Sequence, residues 1–282
     1  MPSSEKLRHL IALLDDDDRD VRAAVVAELE SYGPALDAEL ERCDIRLTDG
    51  QRDLLRSLLR EEARRRILGA WPGWSAGEEE VVRLERMLAL LGEYQLGRVA
   101  EGALTRLLDA LADDYRDVTT LRDPLDLARY LFRERGYRGA EEDYDNPLNS
   151  ALVHVLEMKR GLPISLVCIY MMVGRRLGMR IDGCNFPGHF LAFVQRGPAL
   201  LVVDCFDGGR VLDARALAAL NPSVAMDSGM MKRLECDAAT IVARVLRNLT
   251  RAYRQAGEDD EAGFMDELRA LLRKPAEGGE EA

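Results

Sequence analysis

Residues 149–209 read NSALVHVLEMKRGLPISLVCIYMMVGRRLGMRIDGCNFPGHFLAFVQRGPALLVVDCFDGG, and this stretch decides the fold. Asn149 or Ser150 can cap a helix over 151–159, which Gly161 stops. Pro163 suits the first position of the next helix, where a missing N–H costs nothing. From Ile164 to Leu177 nearly every residue is apolar, and a helix apolar all round is a buried one. Arg175 and Arg176 complement its C-terminal dipole, and Gly178 supplies a left-handed stop. Two strands follow, HFLAFVQ at 189–195 and ALLVVDCF at 199–206, with Gly208-Gly209 ending the second. Ser165 thus falls in the first turn of a buried helix, while His189 and Asp204 sit fifteen residues apart across one hairpin. A hydroxyl, an imidazole and a carboxylate so arranged are what acyl-transfer chemistry uses.

Working outward, the chain reads as mostly helical. Leu7, Leu10, Ile11 and Leu14 form one apolar face, Asp15–Asp18 interrupts it, and Val21, Val25, Val26 and Leu29 form another before Gly33-Pro34. A helix follows Thr48 or Asp49. Its run Arg60–Arg66 is interleaved with Glu61 and Glu62, as on a solvated face. WPGWSAG at 71–77 reads as a turn, two amphipathic helices follow over 78–91 and 100–113, and another begins at Asp123-Pro124. The loop RGYRGAEEDYDNPLN at 135–149 has the Gly, Asp and Asn content that builds turns and sites. After Asp213 the chain returns to helix, with a pair over 239–256 and 258–273 separated by Gly257, and KPAEGGEEA at 274–282 reads as a disordered acidic tail.

Bulk properties exclude several functions. The chain has 282 residues, 39 basic against 50 acidic, for a net charge of −11. That balance opposes nucleic acid, which needs a basic face. No run approaches the roughly 20 apolar residues of a membrane span. Five cysteines without CxxC spacing read as reduced core thiols of a cytoplasmic protein. A metal site from Cys184, His189 and Cys205 is disfavoured, because neighbours along a strand such as Asp204 and Cys205 point to opposite faces. No cofactor and no metal are expected.

The elements RGYRG, DYDNPLNSALVHVL, RGLPISL, RRLGM, FPGHFLAF and VDCFDGG, in order over 135–212, resemble the bacterial transglutaminase-like proteins of the SirB type. The string LIALLDDDDRDVRAAVVAELESYG resembles one HEAT-type unit, and the C-terminal helix pair resembles a lone tetratricopeptide hairpin. The resemblance implies an α+β fold, with a small antiparallel sheet on a buried helix, flanked by all-α regions. It divides the chain into an all-α region at 1–120 (HEAT-like at 4–33), a transglutaminase-like core at 121–215, a helical hairpin at 216–273 and the tail. It assigns His189 as base and Asp204 as its orienting partner, with Asn149, Tyr144 and Gly188 binding substrate or bracing the site. The superfamily's nucleophile is a cysteine at the start of the buried helix. Here that turn holds only Ser165, and Cys168 lies about one helical turn further in. A hydroxyl is a far weaker nucleophile than a thiol without a well-placed base. Two functions stay open: a non-catalytic module binding a protein or peptide in a regulatory role, or a serine-dependent amide or ester hydrolase or acyltransferase using Ser165, His189 and Asp204. Oligomeric state is not readable.

Overall fold

A computed structural model describes residues 4–71, 78–97, 101–197, 199–222 and 234–272. Most of 71–77 and all of 274–282, read above as a turn and a tail, lie outside them. The chain divides into two compact units, one of residues 1–71 with 90–103 and one of 72–89 with 104–282.

The first unit holds α1 (Ser4–Ala12), α2 (Arg19–Glu30), α3 (Leu36–Arg42) and α4 (Asp49–Ala70). Asp18 starts α2 by accepting from the Asp20 and Val21 amides. Thr48 and Gln51 start α4 with a reciprocal capping box, which satisfies donors a helix start otherwise leaves open. The apolar stripes meet in one core of Leu7, Leu10, Ile11, Leu14, Val25 and Leu29, closed by Leu36, Leu40 and Leu55.

The second unit carries the functional candidates. Helix α5 (Glu80–Leu96) contributes its first part here, followed by α6 (Ala103–Val118) and α7 (Pro124–Arg129), which continues as a π-helical turn over Tyr130–Glu134. Next come β1 (Arg138–Gly139), a 3-10 turn (Pro147–Ser150), α8 (Leu152–Met158), β2 (Arg160–Gly161) and α9 (Pro163–Arg176). A four-stranded antiparallel sheet follows in chain order: β3 (Ile181–Cys184), β4 (Leu191–Arg196), β5 (Ala199–Asp204) and β6 (Arg210–Leu212). Helices α10 (Ala214–Leu220), α11 (Ala238–Gln255) and α12 (Asp259–Leu271) complete the described chain. The fold is α+β, a small antiparallel sheet against a buried helix, as the sequence implied.

Helix α9 is the centre of this unit. Every residue from Ile164 to Gly174 is buried. Gly174 lets Ile181 of β3 approach, since a Cβ there would lie 2.4 Å from the Ile181 side chain. Tyr170 donates its hydroxyl to the Pro124 carbonyl at the start of α7 and meets the Phe132 ring edge-on at 5.7 Å. At the helix end Arg176 bridges Glu85 of α5 at 2.7 Å and Asp109 of α6 at 2.6 Å. The far face of the sheet packs Leu191, Phe193, Val202 and Leu212 against Leu217 of α10.

Local details depart from the sequence reading. Lys159, not Gly161, ends α8 by adopting the left-handed conformation at φ 57°. Gly161 instead pairs with Gly139 in a short parallel ladder, where a Cβ would lie 2.7 Å from Val155. Neither Asn149 nor Ser150 caps α8. Both belong to the preceding 3-10 turn, whose cap is Asn146.

Two glycines separate backbone strain from packing. Gly136 and Gly209 both sit at positive φ (78° and 72°), but a Cβ at Gly136 meets open space, whereas one at Gly209 lies 2.8 Å from the Phe132 ring and 3.2 Å from the Ala128 carbonyl. Gly136→Ala should cost only the conformational term, about 1–2 kcal/mol. Gly209→Ala should cost that plus an overpacking term of about 1–3 kcal/mol. Urea midpoints of the two variants check the difference, and equal midpoints would contradict the packing described.

Candidate functional site

The start of α9 is held by one carbonyl. Ser165, only 2% exposed, donates its hydroxyl to the Asn149 carbonyl at 2.7 Å. The Leu162 amide donates to the same oxygen at 3.4 Å. Asn149, 4% exposed, uses its side-chain amide to hold the Asp143 carbonyl at 2.5 Å and the Tyr144 carbonyl at 3.4 Å. One residue therefore ties the DYDN loop to the first turn of the buried helix. Ser165 is spent as a donor inside this joint.

His189 lies elsewhere. Phe186-Pro187-Gly188-His189 forms a tight turn closed by the His189 amide donating to the Phe186 carbonyl at 3.0 Å. Proline at the second position and Gly188 at the third, with φ 82°, are the type II pattern, in which the third residue needs positive φ. The strand starts only at Leu191, so His189 belongs to the turn, not to a strand over 189–195 as the sequence suggested. Its ring is half-buried and tilted against Phe186, with centroids 6.4 Å apart.

Asp204 ends β5 and is 8% exposed. Its Oδ1 accepts from the Phe206 and Asp207 amides at 3.0 and 3.2 Å. Ala192 pairs with Val203 across the hairpin, so by the same register Asp204 lies level with Leu191, two residues from His189. Among the described residues no hydrogen bond or ion pair joins His189 to Asp204 or to Ser165. The hairpin brings the two strand ends near each other without linking a triad.

Between these elements lies an aromatic joint. The Phe206 ring covers Gly139, where a Cβ would lie 2.4 Å from it, and meets Tyr144 edge-on at 6.3 Å. Tyr144 is 38% exposed and carries the Arg251 guanidinium over its ring at 5.6 Å. A cleft of about 380 Å³ opens beside this joint, lined by Gly139, Asp143, Asn146, Asn149, His154 and Phe206. Sequence reasoning missed Arg244. Its guanidinium donates to the Asn185 side chain and to the His189 carbonyl at 3.0 Å, and lies over the Phe190 ring at 5.2 Å. The available signal was an arginine on an amphipathic helix with no acid within reach along it.

Four of the five thiols are raised by burial. Burial pushes Cys184 and Cys236 up to about 12, and raises Cys168 and Cys205 above the ordinary thiol range as well. A thiol attacks only as its thiolate, so these groups are protonated near neutral pH. Among the described residues, no three His, Cys, Asp or Glu side chains gather to hold a metal ion, and no helix is long and apolar enough to cross a membrane.

A profile of the transglutaminase-like superfamily matches residues 100–247, more than half of the chain. The chain belongs to that superfamily. A UPF0162 protein of Xylella fastidiosa is 41% identical over 148 residues, which span 49% of this chain and 53% of that protein. A UPF0162 protein of Pseudomonas aeruginosa is 33% identical over 162 residues, 55% of this chain and 56% of that one. The chain thus spans about half the length of these curated relatives. F-box only protein 21 of Mus musculus is 37% identical over 84 residues, 29% of this chain and 13% of that protein. No solved structure matches the chain.

Two outcomes follow from this transglutaminase-like site. Asn149→Ala removes both bonds to the loop carbonyls, and the buried carbonyls left open should cost about 1–3 kcal/mol. Hydrogen exchange over 141–146 should accelerate with it. The raised thiols also set a pH dependence. Below the unfolded thiol value of 9.0 both states hold these protons and stability is intact. Above it the unfolded chain releases them while the folded chain does not, so stability falls by about 1.4 kcal/mol per pH unit for each buried thiol. Urea midpoints from pH 8 to pH 11 should fall less steeply for Cys184→Ala than for the wild type.

Proposed function

We propose that this transglutaminase-like protein is a non-catalytic module that binds a protein or peptide partner in a regulatory role. The state of Ser165 carries the reading. Its hydroxyl is buried and committed to the Asn149 carbonyl, and a serine without a bonded base is a poor nucleophile. The four cysteines with raised thiols offer no substitute, since burial keeps each protonated. What remains accessible is suited to contact: the Tyr144 ring, the half-buried His189 turn and the cleft beside Asn149. An 84-residue likeness within a much longer protein also fits a core that is reused as a module.

The finer assignments belong to the same proposal. They are kinship of the SirB type, a core at 121–215, a HEAT-like unit at 4–33 and a tetratricopeptide-like hairpin at 216–273 as docking flanks. A cytoplasmic setting is included, supported by the free cysteines. Within this reading Asn149 and Gly188 brace the face, and His189, Asp204 and Tyr144 shape it.

The test is covalent labelling. Wild type, Ser165→Ala and His189→Ala are exposed to a fluorophosphonate and to iodoacetamide, then mapped by peptide mass. The proposal expects no label on Ser165, and slow cysteine labelling unchanged by His189→Ala. Labelling at Ser165 that disappears in His189→Ala would overturn it and establish the serine-dependent hydrolase or acyltransferase instead.

A further inference from the structure

Helix α11 carries an arginine stripe whose charge the fold does not balance. Arg244, Arg247, Arg251 and Arg254 are the only charged residues between Ala238 and Gly257. At helical spacing they fall within about 80° of one another and span about 15 Å along the axis. The opposite face, with Ile241, Val245 and Leu249, is buried. The Arg60–Arg66 run on α4 differs, because there Glu61 and Glu62 alternate with the arginines.

The pairing along the stripe is incomplete. Arg251 reaches Asp145 at 2.9 Å. Arg254 shares Asp266 with Arg269 of α12, at 2.8 and 2.7 Å. Arg247 is exposed and, among the described residues, has no carboxylate partner, while Arg244 bonds only neutral oxygens. Among the described residues these five guanidinium groups thus have two carboxylate partners between them, on a chain whose net charge is −11. A cleft of about 360 Å³ opens along the stripe, lined by Arg247, Thr250, Arg251, Arg254, Asp266 and Arg269. Arg247 also holds the Arg244 guanidinium below its ordinary value, second to burial. Like charges side by side are unfavourable without an anion between them.

We infer that the arginine stripe of α11 is the recognition surface for an acidic peptide segment of the partner, with Arg244 and Arg247 taking its carboxylates beside the His189 turn. The inference rests on the binding-module reading and names that partner's chemistry. An extended peptide rises about 3.3 Å per residue, so the stripe matches about four to five residues. Guanidinium forks suit carboxylates because two parallel N–H groups meet two oxygens. Nucleic acid fits less well. At about 15 Å the stripe spans only a few of the evenly spaced phosphates whose neutralisation supplies nucleic-acid affinity. The link to the site is direct: Arg244 holds the His189 carbonyl and Arg251 lies over Tyr144.

The experiment is fluorescence anisotropy of a labelled hexaglutamate peptide titrated with the full chain, with hexaglutamine as the uncharged control. Wild type should bind hexaglutamate saturably and hexaglutamine not at all. Arg247→Glu should weaken binding by roughly tenfold or more, the size of one charge-assisted hydrogen bond. Arg247→Gln should lose less, and Arg215→Glu on α10 should change nothing. Raising salt from about 0.1 M to about 1 M, which shortens the screening length from about 10 Å to about 3 Å, should abolish most of the affinity. Absence of saturable binding by wild type, or equal binding by Arg247→Glu, would overturn the inference. So would a single-stranded oligonucleotide that displaces the peptide at lower concentration than unlabelled hexaglutamate. None of these outcomes bears on whether Ser165 can be labelled, so the binding-module reading stands or falls separately.

Discussion

The burial of α9 on all sides is the constraint from which the rest of the second unit follows. A helix with no solvent face must be walled by other elements, and each wall has a local device. Gly174 admits Ile181 of β3, Tyr170 satisfies its hydroxyl on the Pro124 carbonyl, and Arg176 satisfies its charge on Glu85 and Asp109. Buried polar groups in low dielectric are costly unless paired, so the last two contacts permit the burial while the first lets the sheet approach.

The same constraint decides the fate of Ser165. Its place in the first turn puts it under the DYDN loop, where the Asn149 carbonyl lies within hydrogen-bonding distance and solvent does not reach. A nucleophile in that turn needs an open side toward substrate and a base within reach. The loop closes the first, and the His189 turn, ending two residues before the strand, lies off the level of Asp204 in the sheet register. Asn149 acts at both ends of this joint, with its backbone oxygen on α9 and its side-chain amide on the loop.

On the other side of the His189 turn, α11 supplies a basic surface to an acidic protein. One face of this helix packs into the unit, and the other presents arginines spaced along it. Arg244 holds the turn through the His189 carbonyl and, among the described residues, has no carboxylate partner. The structural and recognition roles proposed for this face thus share one guanidinium.

The amino-acid sequence by itself determined the architecture. A long apolar run opening with proline and stopped by Gly178 reads as a buried helix, and two short apolar segments separated by Gly197-Pro198 read as a hairpin, because length and flanking turn residues are local signals. Motifs in order over 135–212 also pointed to the transglutaminase-like superfamily. Tertiary structure alone decided which polar groups meet. That Lys159 rather than Gly161 would end α8, that the Asn149 carbonyl would take the Ser165 hydroxyl, and that His189 would fall in a turn all depend on neighbours distant in sequence. Gly161 was needed opposite Gly139 and against Val155, which no local pattern states. Arg244 escaped notice for the same reason. An arginine on a helix reads as solvated until the fold brings the carbonyl of His189, fifty-five residues away in sequence, to its guanidinium.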